Sequence, residues 1–151
     1  MSDNREERAR YWLVARDKPG LLMAMMRALA GSAMISFEGD LSGCDFSRVP
    51  GTSADETECL RRATIYPRQD FVVCRLEPET IEPILAEVLP ERRAIDRIIH
   101  IQIEKDGALA FGSYDNFHPD CIVAGPGVPV SLLEQLQASG VLRSMELKAS
   151  K

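Results

Sequence analysis

Residues 11–35, YWLVARDKPGLLMAMMRALAGSAMI, limit the possible folds more than any other stretch of the chain. They read as a strand, a tight Asp17-Lys18-Pro19-Gly20 turn, a helix and a second strand. Tyr11 to Arg16 is a mostly apolar run that suits a central strand. Pro19 fits the first turn of a helix, where its missing N–H costs little, and Asp17 is placed to cap that helix, an effect worth ~1 kcal/mol. Over residues 20–30 only Arg27 is charged. A sheet covers just one stripe of a helix, so a helix this apolar needs a second cover, either from elsewhere in the chain or from another copy. Met23, Met25 and Met26 are the residues expected to make that contact, against a partner or against the C-terminal part of the chain.

The rest of the sequence supplies more elements. Residues 33–41 and 71–76 read as strands, and residues 45–69 as a long break that is a lid, a binding loop or a disordered stretch, with 63–66 able to extend a strand. Ile81, Ile84, Leu85, Val88 and Leu89 form a helical stripe with Thr80 as its N-cap and Pro90 as its stop. In residues 95–104, Ile95, Ile99, Ile101 and Ile103 alternate with Asp96, His100, Gln102 and Glu104. The polar face, with His100 at its centre, is expected to meet solvent or a partner. Asp106-Gly107 predicts a hairpin into residues 108–114. A strand at 121–124 follows, then a helix opened by a Ser131–Glu134 capping box and closed by Gly140, then a last strand or docked tail at 141–147.

This order predicts an α+β protein: a ferredoxin-like βαββαβ antiparallel sheet over residues 11–104 with its helices on one face, plus a C-terminal ββα(β) extension at 105–151 packed on that core. Residues 1–10 read as a charged tail, and the remainder as a single domain. The net charge of -5 argues against nucleic acid and anionic membranes as partners, since both favour a basic face. No secretory leader pattern and no membrane-spanning apolar run is present, so a cytoplasmic location is expected. Cys44, Cys59, Cys74 and Cys121 are widely spaced and suggest no disulfide framework.

The segment Leu13-Val14-Ala15-Arg16-Asp17-Lys18-Pro19-Gly20-Leu21-Leu22, continued through Leu29-Ala30 to Met34-Ile35, resembles the start of an ACT domain. That resemblance covers about residues 11–104 and implies a regulatory, non-enzymatic module that binds an amino acid or a similar small carboxylate and pairs as a dimer. It assigns the ligand to Asp17, Lys18, Pro19, Gly20, Leu21 and Leu22, where backbone N–H groups at a helix start suit an anion. The long 45–69 segment departs from the short turn usual in that family, and no enzyme domain accompanies the module here.

Two other readings stand beside this one. The polar strand face around His100 and the acidic-then-basic loop suit a protein-interaction module. His118 and Cys121 form H-x-x-C, a pair for a thiol enzyme or half of a metal site, but no second paired motif completes it. Gly125-Pro126-Gly127 lacks the further glycine and the Gly-Lys-Ser/Thr of a phosphate loop. No catalytic residue, metal or cofactor is therefore assigned.

Overall fold

A computed structural model describes residues 9–89 and 94–148. Its strands are β1 (Tyr11–Ala15), β2 (Ala33–Gly39), β3 (Asp70–Leu76), β4 (Ile98–Lys105), β5 (Ala108–Ser113), β6 (Ile122–Ala124) and β7 (Leu142–Leu147). Its α-helices are α1 (Lys18–Leu29), α2 (Ile81–Val88) and α3 (Val130–Ala138). All seven strands form one antiparallel sheet in the order β3-β2-β4-β5-β6-β1-β7. The protein is thus α+β, and α1 and α2 touch one another on one side of the sheet.

The strand order and count differ from the expected βαββαβ arrangement. That arrangement would set β1 between β3 and β4; here β2 takes the place, pairing with both. Strand β1 lies at the far end, between β6 and β7. The C-terminal part is therefore no appendage, because β5 and β6 stand between β4 and β1. The β4–β5 hairpin explains the outcome: it turns tightly at Asp106-Gly107 and claims the free edge of β4 that β1 would have used. Two split crossovers result. Parallel β3 and β4 flank β2 and are joined by α2; parallel β6 and β7 flank β1 and are joined by α3.

One core fills the space between sheet and helices. Leu21, Leu22, Met25, Met26 and Leu29 of α1 are fully buried there, with Ile84 and Val88 of α2 and Leu133 of α3. The chain itself thus covers α1, and Met25 and Met26 are not surface residues; Met23 is half-buried. Several local expectations are corrected. Thr80 makes no cap bond to α2; its hydroxyl closes the preceding turn through the Arg75 carbonyl at 2.7 Å. Helix α3 begins at Val130 behind Pro129, with no side-chain cap from Ser131. Strand β4 begins at Ile98, and its register shifts opposite Gly39, so Ile98 is buried where Ile99 was expected. No strand forms at 63–66, and Pro90 lies outside the described residues.

The second face of the sheet is only partly bare. Leu60, from the long segment, is buried there against Phe71 and Val73, with Met34 and Leu109 beside them. Ser53 bridges the open edge of β3 through Val73. Beyond Leu60, residues 61–64 run over the polar side chains of β2 and β4.

Candidate functional site

The helix start that the sequence singled out is closed by a side-chain cap. Asp17 is the N-cap of α1, and its Oδ1 accepts from the Gly20 N–H at 3.0 Å. A Cβ at residue 20 would collide with the Asp17 carboxylate, which explains the glycine. Leu21 and Leu22 point into the core with no exposure, so of the six predicted ligand residues the accessible polar groups belong to Asp17 and Lys18.

Lys18 is half-buried. Its ammonium donates to Asn116 Oδ1 at 2.6 Å and lies 6.0 Å from the centre of the Phe117 ring. No carboxylate pairs with it among the described residues. A cation in the first turn of a helix stands at the positive end of the helix dipole, the unfavourable end for it. The carbonyl of a neutral amide offsets little of that charge.

Asn116 comes from a turn the sequence did not reveal as part of this site. Asp115, Asn116 and Phe117 all have positive φ, at 55°, 51° and 60°. Left-handed backbone costs ~1–2 kcal/mol per non-glycine residue. Here it is held by the Asn116 side chain, whose Nδ2 donates to Ile95 O at 2.9 Å and Ile98 O at 2.7 Å, and by burial of Phe117. The signal was present in Asp115-Asn116, two residues that tolerate this conformation.

On the second face lies a cluster of polar side chains. Glu38 is 1% exposed, and its carboxylate accepts from the N–H groups of Ala63 at 2.8 Å and Thr64 at 3.4 Å. Gln102 donates to Arg61 O at 2.7 Å and accepts from the Tyr114 hydroxyl at 3.3 Å. A Cβ at residue 112 would lie 2.9 Å from the Tyr114 ring and hydroxyl, so Gly112 makes room for that reach. The Asp115 N–H donates to His100 Nδ1 at 3.2 Å, which leaves the ring proton on Nε2 to donate to Thr64 Oγ1 at 2.7 Å. Burial pushes the His100 pKa below its ordinary value, against the opposing pull of Glu38 and Asp115. The face expected to meet solvent or a partner around His100 is therefore covered by the chain's own residues 61–64.

His118 and Cys121 come together loosely, with Sγ 3.9 Å from Nδ1. That nitrogen already accepts from the Asp120 N–H at 3.2 Å. No group of three or more His, Cys, Asp or Glu side chains fit to hold a metal occurs among the described residues. Burial pushes Cys74 up to about 11, which marks it as an inert core thiol. An open groove of about 350 Å³ lies at the other end of β2, lined by residues including Arg75, Glu77, Glu104 and Asp106. No described helix is long and apolar enough to cross a membrane.

No family model matches this chain, and neither a curated protein nor a solved structure matches it.

Proposed function

We propose that the protein is a non-enzymatic regulatory module that binds a small carboxylate, an amino acid in the simplest case, at the start of α1. The observation that supports this reading is the half-buried Lys18 ammonium, held by Asn116 and lacking a carboxylate partner among the described residues. An ammonium has three protons to donate, and Asn116 takes one. A ligand carboxylate bonded to the others gains a charge-assisted contact at the positive end of a helix. The exposed Asp17 carboxylate, one residue away, suits the ligand's ammonium group. The reading draws on the local β1-turn-α1 unit and its likeness to ACT domains, and needs neither the βαββαβ strand order nor a partner over α1.

Calorimetric titration with the twenty free L-amino acids tests it. Binding by the wild-type chain that is lost in Lys18→Met supports the reading. Absence of any heat at millimolar ligand overturns it.

A further inference from the structure

The segment that covers the polar side of β2 and β4 begins Leu60-Arg61-Arg62-Ala63-Thr64-Ile65. Thr64 is the one serine or threonine of the chain with arginine both two and three residues before it. Protein kinases that select basic substrates read such a pair with carboxylates, and they seat the residue after the hydroxyl in an apolar pocket. Ile65 fills that position and is 96% exposed, with Tyr66 beside it at 89%. Neither side chain belongs to the core, so both are open to a partner's pocket.

The fold also holds this stretch in a form that can be lifted. Residues 61–69 form no helix or strand and make no bond from main chain to main chain among the described residues. They rest on the sheet through side chains. Glu38 takes the N–H groups of Ala63 and Thr64, Gln102 donates to Arg61 O, and the Thr64 hydroxyl meets His100 Nε2 at 2.7 Å. Arg61 reaches Glu56 at 3.2 Å with 65% of its side chain exposed, and Arg62 donates to Gln69 O from over the Phe71 ring. All of these contacts can open while the β2–β3 and β2–β4 ladders stay whole, so the segment lies at the low-cost end of local opening.

We infer that Thr64 is a phosphorylation site for a kinase that selects arginine before its target, and that the phosphate keeps residues 61–69 off the sheet. The Thr64 oxygen attacks the γ-phosphorus of a nucleoside triphosphate. The new O–P bond forms as the bond to the β-phosphate oxygen breaks, the hydroxyl proton passes to the kinase's base, and the nucleoside diphosphate leaves. The product carries a charge of about −1.5 to −2 at pH 7. Reclosing would set that charge beside Glu38, a carboxylate that is 1% exposed and accepts from the N–H of Thr64 itself at 3.4 Å. Burial favours neutral His100, which offers the phosphate one N–H in return. Like-charge repulsion and the cost of burying a phosphate both favour the lifted state. The polar side of β2 and β4, covered in the unmodified chain, then faces solvent.

Treating the folded full chain with magnesium–ATP and the catalytic subunit of cyclic-AMP-dependent protein kinase, a kinase of this selectivity, tests the assignment, with the product mapped by mass spectrometry. Phosphate is expected on Thr64, and Thr64→Ala should lose it. Arg61→Ala and Arg62→Ala should each slow the transfer about tenfold or more, the scale of one lost charge-assisted contact. Hydrogen exchange should quicken at the Ala63 and Thr64 amides of the phosphorylated chain, while the amides of the β2–β3 ladder keep their protection. No phosphate on Thr64 of the folded chain overturns the proposal, as does incorporation indifferent to both arginines. Ala63 and Thr64 amides that exchange no faster after phosphorylation overturn it too, since the cover then stays in place. Protection lost equally along β2 and β3 also counts against it, since the sheet itself then unfolds.

Discussion

Glu38 and Ala63 are joined by a 2.8 Å bond from the Ala63 N–H to a carboxylate that is 1% exposed. No lysine, arginine or histidine forms an ion pair with that buried charge among the described residues. The backbone N–H groups of Ala63 and Thr64 stand in for a counter-ion, so the segment over the sheet and the strand beneath it depend on each other. Glu38→Ala strips both N–H groups of their acceptor and should cost about 2–4 kcal/mol, whereas Glu38→Gln keeps one amide oxygen and should cost about half as much. Urea unfolding measures the loss. Limited proteolysis should cut within residues 61–68 faster in Glu38→Ala than in wild type.

Gly112 and Tyr114 make a second dependent pair. A methyl group at 112 would press on the Tyr114 ring and push its hydroxyl off Gln102. Gly112→Ala should destabilise by about 1–3 kcal/mol, the usual cost of overpacking. In the Tyr114→Ala background the same change should cost much less, because the obstacle is gone. A double-mutant cycle in thermal or urea unfolding shows the coupling.

Asn116 combines two jobs that substitution can separate. Asn116→Gly keeps the positive φ at no steric cost but loses the bonds to Ile95, Ile98 and Lys18. Asn116→Ala loses the bonds and adds backbone strain. Both should destabilise by about 2 kcal/mol or more, with Ala worse than Gly by about 1 kcal/mol. Equal losses in unfolding experiments would show that the left-handed turn stores no strain.

His100 makes stability depend on pH with a definite sign. Its folded-state pKa is lowered by burial, so the unfolded chain takes up this proton at the higher pH. Between the ordinary histidine value near 6.5 and the lower folded value, the unfolded state holds more protons, and stability falls as pH falls. The charged ring also has a proton on Nδ1, where the Asp115 N–H now donates. His100→Asn sets an amide Oδ1 at the corresponding place along the side chain and does not titrate. Unfolding free energies measured from pH 7.5 to 5 should decline less steeply in His100→Asn than in wild type.

Much of this architecture was legible in the sequence where the signals are local. The Asp17-Lys18-Pro19-Gly20 turn, the 3.6-residue stripe of α2 and the Asp106-Gly107 hairpin each arise from chemistry within a few residues. The strand order was not, because pairing depends on which edge finds which partner across the whole chain. Nothing near residues 11–15 indicates that β6 and β7 will flank them. The nearly all-apolar run of α1 asked for cover beyond the sheet but could not tell whether that cover came from within the chain, where Met25 and Met26 in fact lie in the core. The polar side of β4 looked like solvent-facing surface because its cover, residues 61–64, carries no strand pattern and bonds mainly through its main chain. Lys18 was within view from the start; its tie to Asn116 was not, since the two are 98 positions apart.

The seat of β1 between β6 and β7 also orders events in time. As the chain is made from its N-terminus, the stretch from Tyr11 to Ala15 has no hydrogen-bonding neighbour until Ile122 and the residues beyond it have been synthesised. Until then an apolar strand must wait with both edges open, the condition in which nascent proteins are most prone to pair wrongly. Folding of this sheet should therefore be slow for its size, and loss of β7 alone would leave one edge of the first strand permanently unmatched.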